Sequence, residues 1–357
     1  VKVLVTGAAG FIGGHLAGHL VARGHEVLGL DSLHPAAHPA APRHLPRELD
    51  LRVGDVRDQR LLDELLDGVD AVFHEAAMVG LGLDVTELPA YASANTLGTA
   101  TLLAAMARRG VPRLILASSV VVYGEGSYDC SEHGRVRPGA RDVGDLSRGV
   151  FEPRCPRCEE ALRPAPIDED AALEPRNGYA ASKVAQEHLA GVWARETGGT
   201  AVALRYHNVY GPHMPRDTPY AGVVATFRDA LTAGRAPRVY EDGAQMRDFV
   251  HVYDVAAANL CALDGGAEGR LTPYNIASGE PHTVADVARA LAAATGGPAP
   301  LITGAFRLGD ARHIVASPAR ATHDLGFRPT VGFHEGMRDF IATLGPRDDD
   351  LPLGITD

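Results

Sequence analysis

Short, nearly continuous apolar runs alternate along the chain with longer stretches in which apolar residues recur every three or four positions. The runs at 1–5, 26–30, 51–54, 71–74 and 113–117 have strand length and little polar alternation, as expected of strands buried on both faces. Residues 11–23, 60–66 and 95–108 carry helical spacing between them. Further strand candidates lie at 200–205 and 273–277. Strands alternating with helices predict an α/β, doubly wound parallel sheet. The alternation fails between Tyr123 and Tyr179, a stretch rich in Gly, Pro, Arg and Asp. A connection that long inside a compact domain needs a reason of its own.

The first strand runs into a glycine loop, VLVTGAAGFIGGHL, with Gly7, Gly10 and Gly13 at the turn and in the first helical turn. Glycine permits the tight turn and close approach of the backbone to a pyrophosphate, which the N–H groups of a helix N-terminus can bind. Asp31 ends the second strand in VLGLDSL. A carboxylate there accepts from ribose hydroxyls and repels a 2′-phosphate, which favours NAD over NADP. Asp55, in VGDVRD, is placed to reach the adenine. The glycines alone would fit any tight turn; strand, glycines, helix and acid in that order point to a dinucleotide.

Ser118 and Ser119 close the strand-like LILASS, and YAASK opens a later helix with Tyr179 and Lys183 on one face. An ammonium beside a phenol favours the phenolate, lowering a pKa of about 10 toward neutrality. Such a tyrosine can take a proton from a sugar hydroxyl while hydride leaves the same carbon. Taken alone, the pair also fits a helix tyrosine beside an exposed lysine.

TGAAGFIG, GDVRD, HEAA, ASSVVVYG, YAASK, RYHNVYGP, RDFVHVYDVA and RLGDARH follow in order from Val1 to about Leu344. With them the chain resembles the extended short-chain dehydrogenase/reductase family, in its NAD-dependent nucleotide-sugar epimerase/dehydratase group. Its pattern is most similar to dTDP-L-rhamnose 4-epimerase-like and UDP-glucose 4-epimerase-like members. The resemblance implies a Rossmann sheet with a smaller, discontinuous substrate lobe. It implies Ser119, Tyr179 and Lys183 as the catalytic set. NAD would be held by Gly7, Gly10, Phe11, Ile12, Gly13, Asp31, Asp55, Val56, Ala76 and Asn95, with Tyr179 and Lys183. Asn208, Arg247, Arg307 and Arg312, with Ser119, would hold the nucleotide-diphosphate sugar. Dehydratases of the group carry an Asp-Glu pair where this chain has Val120 and Val121. That leaves oxidation and re-reduction at one carbon, a 4-epimerase working through a 4-keto sugar. A 4-ketoreductase or 4,6-dehydratase is the alternative, and a non-catalytic NAD-sensing or scaffold protein a more remote one. Family helices equivalent to those at 95–108 and 179–196 pair across a two-fold axis, so a homodimer is expected. Glu75 and His207 depart from the family pattern near the nicotinamide end; His207 is read either as a polar, proton-carrying group of the sugar pocket or as a packed neutral ring.

The resulting division is a dinucleotide domain at 1–205 with 248–280, an insertion at 127–168, a substrate lobe at 206–247 and 281–345, and a flexible tail at 346–357. The net charge of −11 disfavours nucleic acid and anionic membranes, so an anionic ligand must be met by local arginines. No apolar run reaches membrane-span length, and the first residues already read as a strand, so a cytoplasmic protein is expected. In a reducing compartment the insertion's cysteines favour metal over a disulfide. Cys130-x-x-His133 and Cys155-x-x-Cys158 form two knuckles 21 residues apart, the spacing of a closed structural zinc site in a zinc-ribbon-like segment with few apolar residues. Incidental thiols and a redox pair are the competing readings. Cys261 sits in an apolar helix and reads as core.

Overall fold

The computed structural model describes residues 1–38, 45–80, 82, 84–215 and 222–342. The expected tail at 346–357 lies outside the described residues. Seven parallel strands form the main sheet: β1 (Lys2–Thr6), β2 (Glu26–Asp31), β3 (Asp50–Val53), β4 (Ala71–His74), β5 (Arg113–Ser119), and the strands Thr200–Tyr206 and Arg270–Ile276. Their spatial order is Arg270–Ile276, Thr200–Tyr206, β5, β4, β1, β2, β3. All seven strand candidates are present, each within three residues of its expected start. The chain direction across the sheet reverses at β1, whose neighbours are β2 and β4. Loops leaving β1 and β4 therefore diverge and open a crevice at the strands' C-terminal ends.

Two apolar layers cover the sheet. One face packs Val3, Val5 and Phe73 against Leu16 and Leu20 of the helix Phe11–Ala22 and Val255 of Val252–Ala262. The other packs Leu4, Val72 and Leu114 against Leu102 and Met106 of Gly98–Arg109 and Trp193 of Gly178–Thr197. Completely buried leucines such as Leu16 each make truncation to alanine cost about 2–5 kcal/mol. The helix expected from residue 95 begins differently. Ala92–Leu97 is a wider π-type turn, and the α-helix starts at Gly98. Asn95 is fully buried in that turn, bonded to the loop after β4.

The lobe surrounds a small sheet of Asn208–Tyr210, Met246–His251 and Pro281–Thr283 with the helices Val223–Thr232, Val284–Thr295 and Phe333–Ala342. Its own core includes Phe227, Leu291 and Phe340. The segment with no sustained periodicity folds as a three-stranded antiparallel sheet, Ser127–Cys130 between Gly134–Val136 and Arg163–Ala165. The apolar cluster around its cysteines is small: Tyr128, Cys130, Cys155 and Leu162, with Val136 and Cys158 against it. These strands are too short for alternation to be read from sequence.

Candidate active site and candidate metal centre

The glycine loop is shaped by what glycine lacks. Gly7 takes φ 70°, and a Cβ there would meet the Ala76 backbone N at 2.7 Å. A Cβ on Gly13 would collide with the Gly7 carbonyl oxygen. Gly10 stands at the N-terminus of Phe11–Ala22, and among the described residues no side chain caps that terminus, so its first N–H groups can bind an anion. Phe11 and Ile12 continue this turn. Asp31 is mostly buried; its two oxygens accept from Ala9 N at 3.0 Å and Leu33 N at 2.9 Å. Oδ1 also faces His38 Nε2 at 3.3 Å, and Oδ2 keeps a second lone pair for a ribose hydroxyl. This cradle and acid fit NAD.

Other expected cofactor residues frame the crevice. Ala76 N donates to Thr6 Oγ1 at 3.3 Å. Asn95 accepts from Met78 N at 2.7 Å and donates to Ser182 Oγ at 2.8 Å, fastening this loop to the tyrosine-bearing helix. The Asp55 carboxylate is held by the Arg57 fork, with 2.6 Å to Nη2. That side-chain bond lowers the pKa of the Asp55 carboxyl. Val56 packs beneath Gly98, where a Cβ would lie 2.8 Å from Val56 Cγ1.

Ser119 ends β5, and Tyr179 and Lys183 project from Gly178–Thr197. Asn177 caps this helix by accepting from Ala180 N at 2.8 Å, which fixes the first turn where Tyr179 sits. Lys183 is buried; its Nζ donates to Ala117 O at 2.8 Å and lies 6.0 Å from the Tyr179 ring centroid. Serine, tyrosine and lysine thus converge at the C-terminal edge of the sheet. Burial pushes the Tyr179 phenol up to about 12, against a hydrogen bond from Ser119. Burial also brings the Lys183 ammonium down to about 8, against the nearby carboxylates of Glu75 and Glu187. The lysine alone therefore does not bring the phenol to neutrality, because burial disfavours both charges.

Glu75 follows β4 and accepts from the Tyr206 hydroxyl at 2.7 Å; that hydroxyl accepts from Asn259 Nδ2 at 2.7 Å. Burial raises the Glu75 carboxyl to about 7. Burial lowers His207 to about 4, against the Asp248 carboxylate and a side-chain interaction with Asn275. A ring so placed is neutral near pH 7, which favours the packed reading over the proton carrier.

On the lobe side, Asn208 starts a strand paired in parallel with Met246–His251. Arg247 donates through Nη1 to Arg312 O at 2.9 Å and through Nη2 to Ala311 O at 2.6 Å. Arg307 is 40% exposed, its guanidinium 5.8 Å from the Tyr240 ring centroid. Arg312 is placed differently from a ligand: it is 0% exposed, and its donors reach Glu152, Glu241 and Asp242. A guanidinium so committed ties protein to protein. Sequence reasoning missed these acids, which stand 160, 71 and 70 residues away from Arg312 and carry no local pattern.

The four expected metal ligands come together, with their ligand atoms all within 4.8 Å of one another. Cys130 Sγ lies 3.5 Å from both His133 Nδ1 and Cys158 Sγ, and Cys155 Sγ is 3.7 Å from His133 Nδ1. A tetrahedral zinc with ordinary bond lengths needs edges of about 3.5–3.8 Å. A disulfide needs sulfurs at about 2.05 Å. Cys261 is half-buried in Val252–Ala262.

The NAD dependent epimerase/dehydratase family model matches residues 3–140 and 156–277. The dTDP-L-rhamnose 4-epimerase of Burkholderia thailandensis is 35% identical over 342 residues, covering 94% of this chain and 93% of its own. The UDP-glucose 4-epimerase of Thermus thermophilus, solved with NAD, superposes with a TM-score of 0.75 at 32% identity, covering 96% of this chain and 98% of its own. A dTDP-glucose 4,6-dehydratase of Streptomyces venezuelae, also solved with NAD, gives 0.77 at 28% identity, covering 96% of each chain. The gap in the family match, 141–155, falls inside the insertion. The glycine cradle, the acid that ends β2 and the Ser119–Tyr179–Lys183 cluster thus sit in a chain that belongs to the NAD-dependent epimerase/dehydratase family.

Proposed function

We propose that this protein is an NAD-dependent nucleotide-diphosphate-sugar 4-epimerase, acting on a dTDP- or UDP-linked hexose or 6-deoxyhexose. The carrying observation is the convergence of Ser119, Tyr179 and Lys183 beside the glycine cradle, with Val120 and Val121 next in the chain. Two valines cannot move the protons that elimination of water requires.

Bound NAD supplies a reversible hydride acceptor and a cationic ring whose field favours the phenolate. Tyr179 takes the proton of the C4 hydroxyl, and Ser119 orients that oxygen by hydrogen bonding. Lys183, fixed on the Ala117 carbonyl, keeps positive charge beside the phenol. After the 4-keto sugar turns its other face, the same phenol returns the proton and C4 regains its hydrogen inverted. Asn208, Arg247 and Arg307 are proposed to meet the diphosphate; Arg312 is left out because its guanidinium is closed by carboxylates. A panel of dTDP- and UDP-sugars, read by NMR for C4 inversion without net NADH consumption, tests the reading. The dehydratase neighbour keeps a second reading in view: a stable 4-keto product absorbing in alkali would replace the epimerase with a 4,6-dehydratase.

We propose that Cys130, His133, Cys155 and Cys158 hold a structural zinc ion. Three thiolates and an imidazole close the tetrahedron, so no position remains for substrate. The small apolar cluster around them is the reason the segment needs a metal. We also propose a homodimer through the helices Gly98–Arg109 and Gly178–Thr197, beside which Val85, Leu88, Leu97 and Val192 stand exposed. Among the described residues no helix is long and apolar enough to cross a membrane.

A further inference from the structure

Both arms of the Cys/His cluster end on one short strip of the substrate lobe. Two residues before Cys130, the Tyr128 hydroxyl accepts from His313 N at 3.0 Å and donates to Glu125 Oε1 at 2.8 Å. The same Glu125 oxygen accepts from Arg312 N at 3.0 Å. Three residues before Cys155, Glu152 accepts from Arg312 Nε at 3.0 Å and meets His313 Nε2 at 2.8 Å. Gly126 lies so close to the His313 carbonyl that a Cβ has no room. Where the insertion returns, Ile167 N donates to Val315 O at 2.8 Å.

The other side of this strip faces the candidate diphosphate ligand. The carbonyls of Ala311 and Arg312 receive the Arg247 fork, and Ile314 N donates to Met246 O at 3.1 Å. The strip is therefore gripped by the insertion on one side and holds Arg247 on the other. Arg312, buried among Glu152, Glu241 and Asp242, is the rivet. Arg141 adds a second tie, from the insertion to Glu241 at 2.8 Å and to the Asp310 carbonyl at 2.8 Å. A buried ion cluster of this kind loses its geometry when one carboxylate goes, because the remaining charges are left unpaired. The catalytic trio hangs from other partners: Ala117 for Lys183 and Asn177 for the helix that carries Tyr179.

We propose that Glu152 is a positioning residue for the sugar nucleotide's diphosphate. The Cys/His cluster presses Tyr128 and Glu152 onto residues 311–313, whose carbonyls aim the Arg247 guanidinium. Metal loading is thereby coupled to nucleotide affinity and not to the hydride step. This inference rests on the reading of Arg247 as a diphosphate ligand.

The test uses full-length protein carrying its own NAD. Glu152→Gln, Glu152→Asp, Cys158→Ser and a Cys261→Ser control are compared with the parent for zinc and NAD content. Calorimetric Kd for UDP and for dTDP is measured, with KM and kcat for the epimerised sugar nucleotide. In Glu152→Gln the zinc stays bound while Kd and KM rise roughly tenfold, the loss expected for a charge-assisted bond. Its kcat stays within about twofold, the signature of lost uniform binding. Glu152→Asp restores part of the affinity, Cys158→Ser loses zinc and affinity together, and Cys261→Ser matches the parent. Unchanged Kd in zinc-loaded Glu152→Gln, or a kcat loss equal to the affinity loss, overturns the clamp. If Cys158→Ser does not fold, Glu152→Gln decides alone. A parent protein that binds neither UDP nor dTDP removes the diphosphate reading itself and this inference with it, an outcome distinct from a parent that binds and a variant that binds equally well.

Discussion

At the residue scale, the chemistry depends on a phenol that burial, against the Ser119 hydrogen bond, pushes up to about 12. Tyr179→Phe removes the proton carrier and leaves the ring's packing. The expected loss in kcat is about 10³-fold, within the range of general acid–base catalysis, with NAD content unchanged by extraction. An active phenylalanine variant contradicts the assignment. Glu75 gives a stability test. Its folded-state pKa of about 7 lies above the ordinary value of 4.5. The folded protein therefore holds that proton more tightly than the unfolded chain, and the cost of ionising Glu75 grows as pH rises from about 4.5 to 7. Glu75→Gln should raise the Tm at pH 8 by more than at pH 5, with an upper limit of about 3 kcal/mol. Equal Tm gains at both pH values contradict the buried-acid picture. The shared helix face of Tyr179 and Lys183 was legible from their spacing, and their grouping with Ser119 came from the family resemblance. The carboxylates around Arg312 were not, because only tertiary folding brings Glu152, Glu241 and Asp242 together.

At the element scale, the turn from β1 into Phe11–Ala22 is the most constrained part of the site. Gly13→Ala forces a methyl into the Gly7 carbonyl. NAD should then be lost during purification, seen as a fall in the protein's nicotinamide content, while any metal held by the Cys/His cluster is unchanged. Retention of a full equivalent of NAD speaks against the cradle. The seven sheet strands were visible as apolar runs because a parallel sheet buries both faces. The insertion was visible as a break in the alternation and through its cysteines, but its strands were not. Its strands of three or four residues are too short for periodicity, and its order comes from a ligand cluster and from ion pairs to the lobe. The π-type turn at Ala92–Leu97 also escaped the sequence, since nothing in helical spacing announces an inserted residue.

At the scale of the whole molecule, the insertion is anchored on residues 312–313 beside the lobe, and the proposed two-fold pairing runs through the helices Gly98–Arg109 and Gly178–Thr197. If the proposed homodimer forms, Leu97→Arg with Val192→Arg should convert it to monomer in sedimentation and leave the fold intact by circular dichroism. Wild-type protein that sediments as a monomer contradicts the pairing. Removing the proposed zinc ion should lower the Tm and the affinity for nucleoside diphosphate together, because the insertion is anchored on the strip beside Arg247. The family and its reaction class were readable from ordered motifs. The coupling between insertion and lobe was not, because it runs through Glu125, Tyr128 and Glu152, which act on a backbone strip 187, 185 and 160 residues away.

The most direct test follows a deuterium placed at C4 of a dTDP- or UDP-sugar that the protein converts. The account predicts that the C4-inverted product keeps the deuterium at C4, with no exchange into solvent, and that rapid quenching finds a fraction of the label in the protein's nicotinamide. Deuterium lost to water, or inversion with no label ever reaching the cofactor, would contradict it.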